Sequence, residues 1–393
     1  MRLTPYITQD RAPGDLKDAA LELLKLDASL NANIHESLRT PMIHLQRVVN
    51  SYFSNKIEGN SALPADLLPA QDDPAGGGSA PDLLEIRHHI KAQVRLAIDP
   101  IEANAICTRE SIARIHRELY KGLPEEHLRL EVGAVDEIIA LVPGETRNRG
   151  VKVGHHIPPP AEEIYSYLTW FGNAYRLGRL HGLAPLLAAA GGHHRLLWIH
   201  PFIDGNGRAA RLFTERYLKV GSLSGCDLWS LSRGFGRDAN AYYAALRAAD
   251  GVRKGSLDGR GELSESGLLR FTEYFITTAL EQVSFVSSLL EPHTLNQRID
   301  RYFQMRTCRA LLIADGSSLP TLRVEALHLY RSLLEIGAMQ YSEIQARLSL
   351  GESTTRELLG QMLTEGLIDI DRDGQVSMRL SGHSIPTLFP DLF

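Results

Sequence analysis

The chain has 393 residues, of which 44% are hydrophobic and 23% charged, and its formal net charge is −5. This composition is typical of packed globular domains, and the length allows more than one of them, so a largely disordered chain is excluded. The mild acidity also argues against a protein devoted to nucleic acid or to anionic membranes.

The first 60 residues are predicted to be helical. Leucines at helical spacing between Asp15 and Leu30, without internal proline or glycine, predict one helix. A second helix is expected to have Pro41 in its first turn and to end near Gly59 as a C-terminal cap. Residues 63–82 are rich in proline, glycine and alanine, which is typical of a flexible surface loop or, alternatively, of a domain boundary.

Between residues 83 and 285 the pattern is again mostly helical. The exception is the segment 132–158, where EIIALV and VKVGHHI are two extended runs on either side of the turn PGETRNRG. We expect these two runs to pair as a β-hairpin. The prolines at 158–160 end the hairpin and lead into the next helix.

The last 70 residues have a different pattern. A helix near 323–337, two more within 341–367 and a hairpin with Asp373-Gly374 at its tip predict a winged helix-turn-helix. Such domains often bind DNA. Residues 321–393, however, contain six arginines against ten acidic residues, a net charge of −4 that suits duplex DNA poorly. We therefore favour protein contact or dimerisation over DNA binding.

The segment 199–213, IHPFIDGNGRAARLF, carries most of the chemistry. Its Gly-Asn-Gly turn at 205–207 precedes a helical sequence, and the free N–H groups at such a helix start attract phosphate. Arg208 and Arg211 stand at i and i+3, so both can face the oxygens of a polyphosphate.

Two further side chains in this segment complete the pattern. Asp204 could hold a Mg²⁺ ion shared with the phosphates. His200 is the only nearby group whose ordinary pKa lies near neutrality, as a general base needs. Each feature alone is usually structural, but their concurrence in twelve positions indicates a site for phosphate chemistry.

Residues 200–211 match the signature of the Fic family, HPFx[D/E]GNGRxxR, at every specified position. The resemblance extends to the preceding helix (APLLAAAGGHHRLLWI), to GETRNRGVKVG, which is similar to the flap of that family, and to YYAALRAAD downstream. It implies a mainly α fold, a Fic helical bundle with a β-hairpin flap, followed here by the winged domain. The expected regions are a helical N-terminal region at 1–100, a catalytic core at 101–290, a connecting helix at 291–320 and the winged domain at 321–393.

The resemblance implies a protein adenylyltransferase, which transfers AMP from ATP to a Ser, Thr or Tyr hydroxyl of a protein, itself included. His200 would deprotonate the hydroxyl, and Asp204 would bind Mg²⁺ bridging the α- and β-phosphates. The implied nucleotide contacts are an anion hole at Gly205, Asn206 and Gly207, the β- and γ-phosphate ligands Arg208 and Arg211, and the adenine-pocket residues Tyr242 and Tyr243. The flap would dock the target by strand addition through Gly144, Arg147, Val151 and Val153.

A second motif lies upstream, where SNKIEGN at 54–60 matches the inhibitory pattern [S/T]xxxE[G/N] of the family. By itself this motif would indicate only a helix end with a glycine cap. The resemblance implies that Ser54, Glu58 and Gly59 belong to an inhibitory helix. Glu58 would pair with Arg211, compete with the γ-phosphate and misorient the α-phosphate, so we expect the resting enzyme to be self-inhibited.

Other site classes find no support in the sequence. There is no P-loop, no HExxH and no CxxC, and the chain shows neither a signal peptide nor a membrane span, so we expect a cytoplasmic protein without a membrane partner. Two other functions stay open. The same scaffold could remove AMP or transfer another phosphate-containing group, or the chain could be a DNA-binding regulator with a nucleotide-sensing domain. A homodimer is a further candidate assembly.

Overall fold

The computed structural model describes residues 3–67, 81–99, 101–132, 137–312 and 316–393. Most of the expected loop at 63–82 lies outside the described residues. Helices make up 62% of the structure, so the expected mainly α class is confirmed. None of the helices in the described ranges is long and apolar enough to cross a membrane.

The described chain divides into two compact units. The first contains the described residues of Met1–Ser29, Asn50–Asn60 and Ala80–Ser284, and the second those of Leu30–Val49, Ser61–Ser79 and Phe285–Phe393. The elements up to residue 289 are α1 (Gly14–Asn33), α2 (Glu36–Ile57), α3 (Pro81–Ile98), α4 (Arg109–Tyr120), β1 (Arg129–Val132), β2 (Glu137–Ala140), α5 (Ile164–Ala174), α6 (Ala184–Ile199), α7 (Asn206–Gly221), α8 (Leu231–Arg237), α9 (Ala239–Asp250) and α10 (Glu265–Leu289).

Helix α2 carries the upstream motif at its C-terminal end. It begins at Glu36, so Pro41 lies inside the helix and the prediction that it occupies the first turn is wrong. The start is fixed instead by His35, whose Nδ1 accepts a hydrogen bond from the N–H of Ser37. The C-terminal prediction is confirmed, because Gly59 has a φ of 93° and the N–H of Asn60 returns to the carbonyl of Asn55.

Helices α6 and α7 form the centre of the first unit. Nearly every residue of α6 is buried, and its alanine and glycine positions leave room for close neighbours. At Gly191, for example, a Cβ would lie 2.4 Å from the carbonyl oxygen of Pro5. The two helices are joined by residues 200–205, so the segment with the Fic signature begins at the end of one buried helix and continues into the next.

The hairpin of this unit differs from the one expected. EIIA forms β2, but it pairs antiparallel with β1 upstream, with Leu130 opposite Ile139, and the predicted pairing with VKVGHHI is wrong. The run 151–157 holds only one bridge, between Val153 and His156. Pairing with the nearer strand closes a shorter loop at lower entropic cost. In addition, the backbone N–H of Arg147 bonds the carbonyl of Pro201 and is not free for a ladder.

The second unit has its own core and a small sheet. Its elements after α10 are α11 (Pro292–Thr307), α12 (Glu325–Ile336), β3 (Met339–Gln340), α13 (Tyr341–Leu348), α14 (Glu352–Thr364), β4 (Ile368–Ile370), β5 (Gln375–Met378) and α15 (Ile385–Leu388). The sheet order is β3-β5-β4, and all neighbours are antiparallel. The hairpin at 368–378 turns at Gly374, with a φ of 75°. This order agrees with the one expected, while the assignment as a winged helix stays a prediction.

Candidate functional site

The loop between α6 and α7 presents His200 at the C-terminal cap of α6. His200 has a left-handed φ of 50°, and its N–H bonds the carbonyl of Leu196. Asn206 closes the loop from the other side: its Oδ1 accepts from the N–H of Phe202 at 2.9 Å, and its Nδ2 donates to the Phe202 carbonyl at 2.9 Å. The amide side chain of Asn206 therefore shapes the loop, which leaves its backbone for the expected anion hole.

The two glycines of the turn are required by close contacts at the start of α7. Gly205 has a φ of 72°, and a Cβ there would lie 2.4 Å from the hydroxyl of Tyr120. A Cβ on Gly207 would lie 2.0 Å from Oε1 of Glu58. The Glu58 carboxylate thus lies against the first turn of α7, where the helix dipole and free N–H groups attract negative charge.

Arg211 is held by the end of α2. Its Nη2 donates to Oε1 of Glu58 at 2.6 Å and to the carbonyl of Ser54 at 2.7 Å, and its Nε donates to Oγ of Ser54 at 2.8 Å. Arg211 is 2% exposed, whereas the Glu58 side chain is 38% exposed. Burial alone would lower the pKa of Arg211, but the charge of Glu58 raises it above its ordinary value. The expected pairing of Glu58 with Arg211 is therefore present in the geometry.

Arg208 is engaged by acidic groups. Its Nη2 donates to Oδ2 of Asp204 at 3.2 Å and to the Tyr120 hydroxyl at 2.9 Å, and its Nη1 donates to Oε2 of Glu85 at 3.3 Å. Tyr120 also donates to the same Asp204 oxygen at 2.6 Å. Sequence reasoning missed Tyr120 and Glu85, which lie on α4 and α3. Their positions look like ordinary helix faces in the sequence.

His116 on α4 is another contributor that the sequence did not reveal. Its Nε2 donates to the carbonyl of Asp204 at 3.0 Å, while its Nδ1 accepts from the N–H of Gly144 at 2.9 Å, which assigns the neutral tautomer. Its ring stacks on Phe202 with centroids 3.9 Å apart. Burial lowers the pKa of His116 to about 4, so the ring stays neutral and braces the signature loop.

Asp204 fits the chemistry of a magnesium ligand. Burial alone would raise the pKa of Asp204, but the charge of Arg208 and the Tyr120 hydroxyl lower it, so the carboxylate stays ionised. Within the described ranges, no group of three or more His, Cys, Asp or Glu side chains is arranged to hold a metal ion. A single carboxylate still suits Mg²⁺, because this ion is often bound by one or two carboxylates together with substrate phosphates.

A cavity of about 760 Å³ opens beside these groups. His200, Gly207, Arg211 and Glu58 all line it, so the candidate base and the phosphate-binding groups face one space. Burial, with the charges of Arg147 and His156, lowers the pKa of His200 to about 4. The imidazole is therefore neutral at physiological pH, which is the form that can accept a proton.

The two tyrosines expected at the adenine pocket both line this cavity. Tyr242 is buried, and its hydroxyl lies 2.7 Å from Nε2 of His193. Tyr243 is more exposed, and its hydroxyl donates to the carbonyl of Ile57 at 2.8 Å, which ties α9 to the end of α2. Asp250, at the end of α9, lines the cavity as well and pairs with His194 at 3.0 Å.

The four residues expected to dock a target occupy unlike positions. Val153 is exposed and lines the cavity, and Val151 is partly exposed. Gly144 has its N–H bonded to His116, and Arg147 is 4% exposed with its donors turned inward. The N–H of Gly144 and the side-chain donors of Arg147 are thus engaged within the fold, and the docking role of the four residues stays a prediction.

Comparisons with known proteins agree with this geometry. The model of the Fic/DOC family matches residues 106–218. The protein adenylyltransferase Fic of Drosophila mojavensis is 37% identical over 109 residues, which cover 27% of this chain and 21% of the relative. The corresponding protein of Drosophila erecta is 39% identical over 98 residues, covering 25% and 19%. The matched segment thus spans about a fifth of these curated relatives.

A solved structure extends the similarity of fold to most of the chain. A Fic family protein from Desulfovibrio desulfuricans G20 aligns with 96% of this chain and 98% of its own, at a TM-score of 0.54 and 17% identity. At that identity the likeness concerns the fold alone. Together with the complete signature on the loop between α6 and α7, the family match identifies residues 106–218 as a Fic/DOC domain.

Proposed function

We propose that this chain is a protein adenylyltransferase that transfers AMP from ATP to a Ser, Thr or Tyr hydroxyl of a protein, itself included. The observation that carries the proposal is the single cavity lined by His200, Gly207 and Arg211. A neutral imidazole, a helix N-terminus and a buried cation lie around this one space. The Drosophila relatives are named protein adenylyltransferases, which supports the same reaction.

In this proposal His200 takes the proton of the target hydroxyl. The oxygen then attacks the α-phosphorus, a new P–O bond forms, and the bond to the β-phosphate oxygen breaks as pyrophosphate leaves. A positioned general base contributes roughly 10²- to 10⁴-fold to such a step. The remaining acceleration comes from holding the reacting groups in line and neutralising charge.

The phosphates would lie against the first turn of α7. The backbone N–H groups at 205–207 and the guanidinium groups of Arg208 and Arg211 supply the positive charge. Asp204 would hold Mg²⁺, which when bound neutralises part of the phosphate charge. Arg208 and Arg211 are both paired with carboxylates, so each must exchange a protein partner for phosphate when the nucleotide binds productively.

We further propose that Glu58 inhibits the resting enzyme. Its Oε1 lies 2.6 Å from Nη2 of Arg211 and would meet a Cβ on Gly207 at 2.0 Å. One carboxylate therefore occupies both places that the terminal phosphates need. A nucleotide bound beside the Glu58 carboxylate would lose the contact of its terminal phosphates with Arg211. The α-phosphate of that nucleotide would then be misaligned with His200.

The experiment measures incorporation of α-³²P-labelled ATP into the full chain and into a cell lysate. We expect Glu58→Gly to raise incorporation at least about tenfold, because removing a charged partner changes binding by 1.4 kcal/mol or more. Glu58→Gln, which keeps the size and loses the charge, should give a smaller rise. In the Glu58→Gly background, His200→Ala should abolish transfer, and continued transfer would contradict the role of His200 as base.

The matched control is Lys56→Gly, in the last turn of α2. Lys56 is exposed, so this change weakens the helix end without touching Arg211. A rise in Lys56→Gly as large as in Glu58→Gly would mean that loosening α2 matters and that the carboxylate does not inhibit. Equal incorporation in Glu58→Gly and the unchanged chain would refute inhibition directly.

Removal of AMP is the alternative reaction, and the exposure of Glu58 to the cavity favours testing it. A carboxylate at that position could orient water toward an AMP-modified side chain. Mass spectrometry of a pre-modified target, incubated with the unchanged chain and with Glu58→Gly, separates the two reactions. Release that requires Glu58 would make removal the main activity, whereas stable AMP on the target supports transfer.

A further inference from the structure

Arg147 is a buried cation whose bonds go to backbone carbonyls around His200. Its Nε donates to the carbonyl of His200 at 2.8 Å. Its Nη2 donates to the carbonyl of Pro159 at 2.6 Å and to the carbonyl of Ile199 at 3.5 Å. Its Nη1 donates to the carbonyl of Arg149 at 2.8 Å. Its backbone N–H adds a bond to the carbonyl of Pro201 at 2.9 Å.

Two of these carbonyls, those of Ile199 and His200, lie at the end of α6. The last carbonyls of a helix have no partners within the helix, and a cation is favourable there. His200 also adopts a left-handed φ of 50°, a conformation that is unfavourable for residues other than glycine. The Arg147 donors therefore hold in place a turn that would otherwise relax.

The charge of Arg147 also acts on the imidazole. Burial is the largest cause that lowers the pKa of His200, and Arg147 and then His156 lower it further. The charge of Glu58 acts in the opposite direction. Arg147 and His156 both come from the stretch 143–157, and Glu58 comes from the residue after α2, so two parts of the chain act on the charge of the ring.

We propose that Arg147 is a positioning residue for His200: its fork of donors fixes the turn at the end of α6 and places a positive charge beside His200. The inference rests on the proposed role of His200 as the base. It gives Arg147 a role in the reaction without contact to the nucleotide or target. It is distinct from the docking role that the sequence suggested for this residue.

The first test follows the protonation of His200 directly, by NMR of the full chain with ¹³Cε1-labelled histidine. His200→Asn identifies the resonance. We expect no protonation of His200 above about pH 5 in the unchanged chain, which agrees with a pKa of about 4. Arg147→Met should move the midpoint upward by about one pH unit, a tenfold change in proton affinity. Arg147→Lys keeps the charge and should shift it much less.

The control is Lys152→Met, which removes an exposed cation from the neighbouring segment. It should leave the His200 midpoint unchanged. An ordinary midpoint in the unchanged chain would overturn the proposal without any variant. An unchanged His200 midpoint in the Arg147→Met variant would also overturn the proposal, provided that the other histidine resonances show a native fold. If Arg147→Met does not fold, the unchanged chain and Arg147→Lys decide the question.

The second test measures AMP transfer against pH in the Glu58→Gly background. Arg147→Lys should lower the maximal rate about tenfold, because an ammonium group cannot bond all four backbone carbonyls that the guanidinium bonds. The acid limb, the fall of the rate at low pH, should stay at the same pH because the charge is kept. Arg147→Met should lower the rate and also move the acid limb upward. A purely structural role would lower the rate with no shift of the limb in either variant, and that result would overturn the proposal. Absence of transfer in the Glu58→Gly parent would contradict the proposed function and leave the NMR result standing.

Discussion

Arg211 lines the cavity and Arg147 bonds the carbonyl of His200, and these two buried arginines are held in opposite ways. The segment 54–60 holds Arg211 through a carboxylate that is 38% exposed, together with Ser54. The segment 143–150 contains Arg147, which is bonded to backbone carbonyls. The first contact can be exchanged for phosphate, because an anion replaces an anion. The contact of Arg147 cannot be exchanged in this way, because its partners are main-chain carbonyls and a phosphate does not replace them.

This difference predicts different roles for the two arginines. An exchangeable partner suits a residue that must release one anion and bind another, so the Arg211 contact fits a switch. A permanent set of carbonyl partners suits a residue that keeps a loop in one conformation. Sensitivity to nucleotide should therefore concentrate at the end of α2, whereas sensitivity of the pH profile should concentrate at Arg147.

After the loss of His200 itself, the largest effect is expected from Gly207→Ala in the Glu58→Gly background. Without Glu58 the added methyl group meets no carboxylate, but it still lies on the first turn of α7 where phosphate should bind. The methyl group would displace phosphate from the N–H groups of this turn, so we expect transfer to fall at least about 100-fold, a loss of the size seen when one donor to a developing oxyanion is removed. The measurement is single-turnover incorporation of labelled ATP.

Gly360→Ala is the matched control for that change. Gly360 lies within α14, and a Cβ there would meet no atom within 4 Å. Transfer should be unchanged in this variant. Retention of transfer in Gly207→Ala would show that phosphate does not bind at this turn, and the exchange of anions at Arg211 would lose its basis.

A smaller effect is expected from Ser54→Ala. The change removes one of three bonds from α2 to Arg211 and leaves the Glu58 pair in place. A hydrogen bond to a charged group contributes about 1.5–3 kcal/mol, part of which Arg211 recovers by shifting toward Glu58. Transfer should therefore rise a few-fold, less than in Glu58→Gly.

Ser51→Ala controls for general loosening of α2. Ser51 is also fully buried and lies one turn earlier, where its Oγ accepts a bond from Gln93. It should not activate transfer. Equal activation by Ser51→Ala and Ser54→Ala would mean that any weakening of the helix relieves inhibition, and the specific contact with Arg211 would not be the switch.

The sequence predicted most of the helices and the residues of the signature loop, because both are encoded locally. Helical periodicity, the glycine after α2 and the twelve-residue signature need no knowledge of distant contacts. The partner of EIIA was predicted wrongly because two candidate strands lay nearby in the chain. The choice between these strands depended on two backbone N–H groups. That of Arg147 bonds the carbonyl of Pro201 and that of Gly144 bonds His116, and no local sequence pattern reveals either contact.

The supporting residues of the site were missed for the same reason. Tyr120 and Glu85 reach Arg208 from helices about 90 and 120 positions earlier in the chain. Arg147 was expected on the docking flap, where a charged residue usually faces solvent. Its burial follows from the carbonyls at the end of α6, and these become a binding place for a cation only once the fold is formed.

The smallest expected effect concerns Glu215, and it is on stability and not on transfer of AMP. It tests the contrast between exchangeable and fixed contacts of α2. Glu215 lies one turn after Arg211 on α7, and its Oε2 accepts a bond from Nδ2 of Asn50 on α2 at 2.8 Å. Burial raises the pKa of Glu215 to about 8. The contact is therefore between neutral groups at pH 7, a fixed link between α2 and α7 that persists when Glu58 releases Arg211.

Because the folded-state pKa of Glu215 lies above the unfolded one, its contribution to stability is complete below the ordinary value and is lost as pH rises toward about 8. Glu215→Gln, which stays neutral, should raise the unfolding temperature at pH 8 and change it little at pH 5. Glu281→Gln, on the exposed face of α10, is the control and should show no pH-dependent difference. A gain for Glu215→Gln that is equal at both pH values would mean that Glu215 does not titrate in this range. Asn50 would then donate to an ionised carboxylate, and the fixed contact would resemble the carboxylate contact at Arg211 more closely.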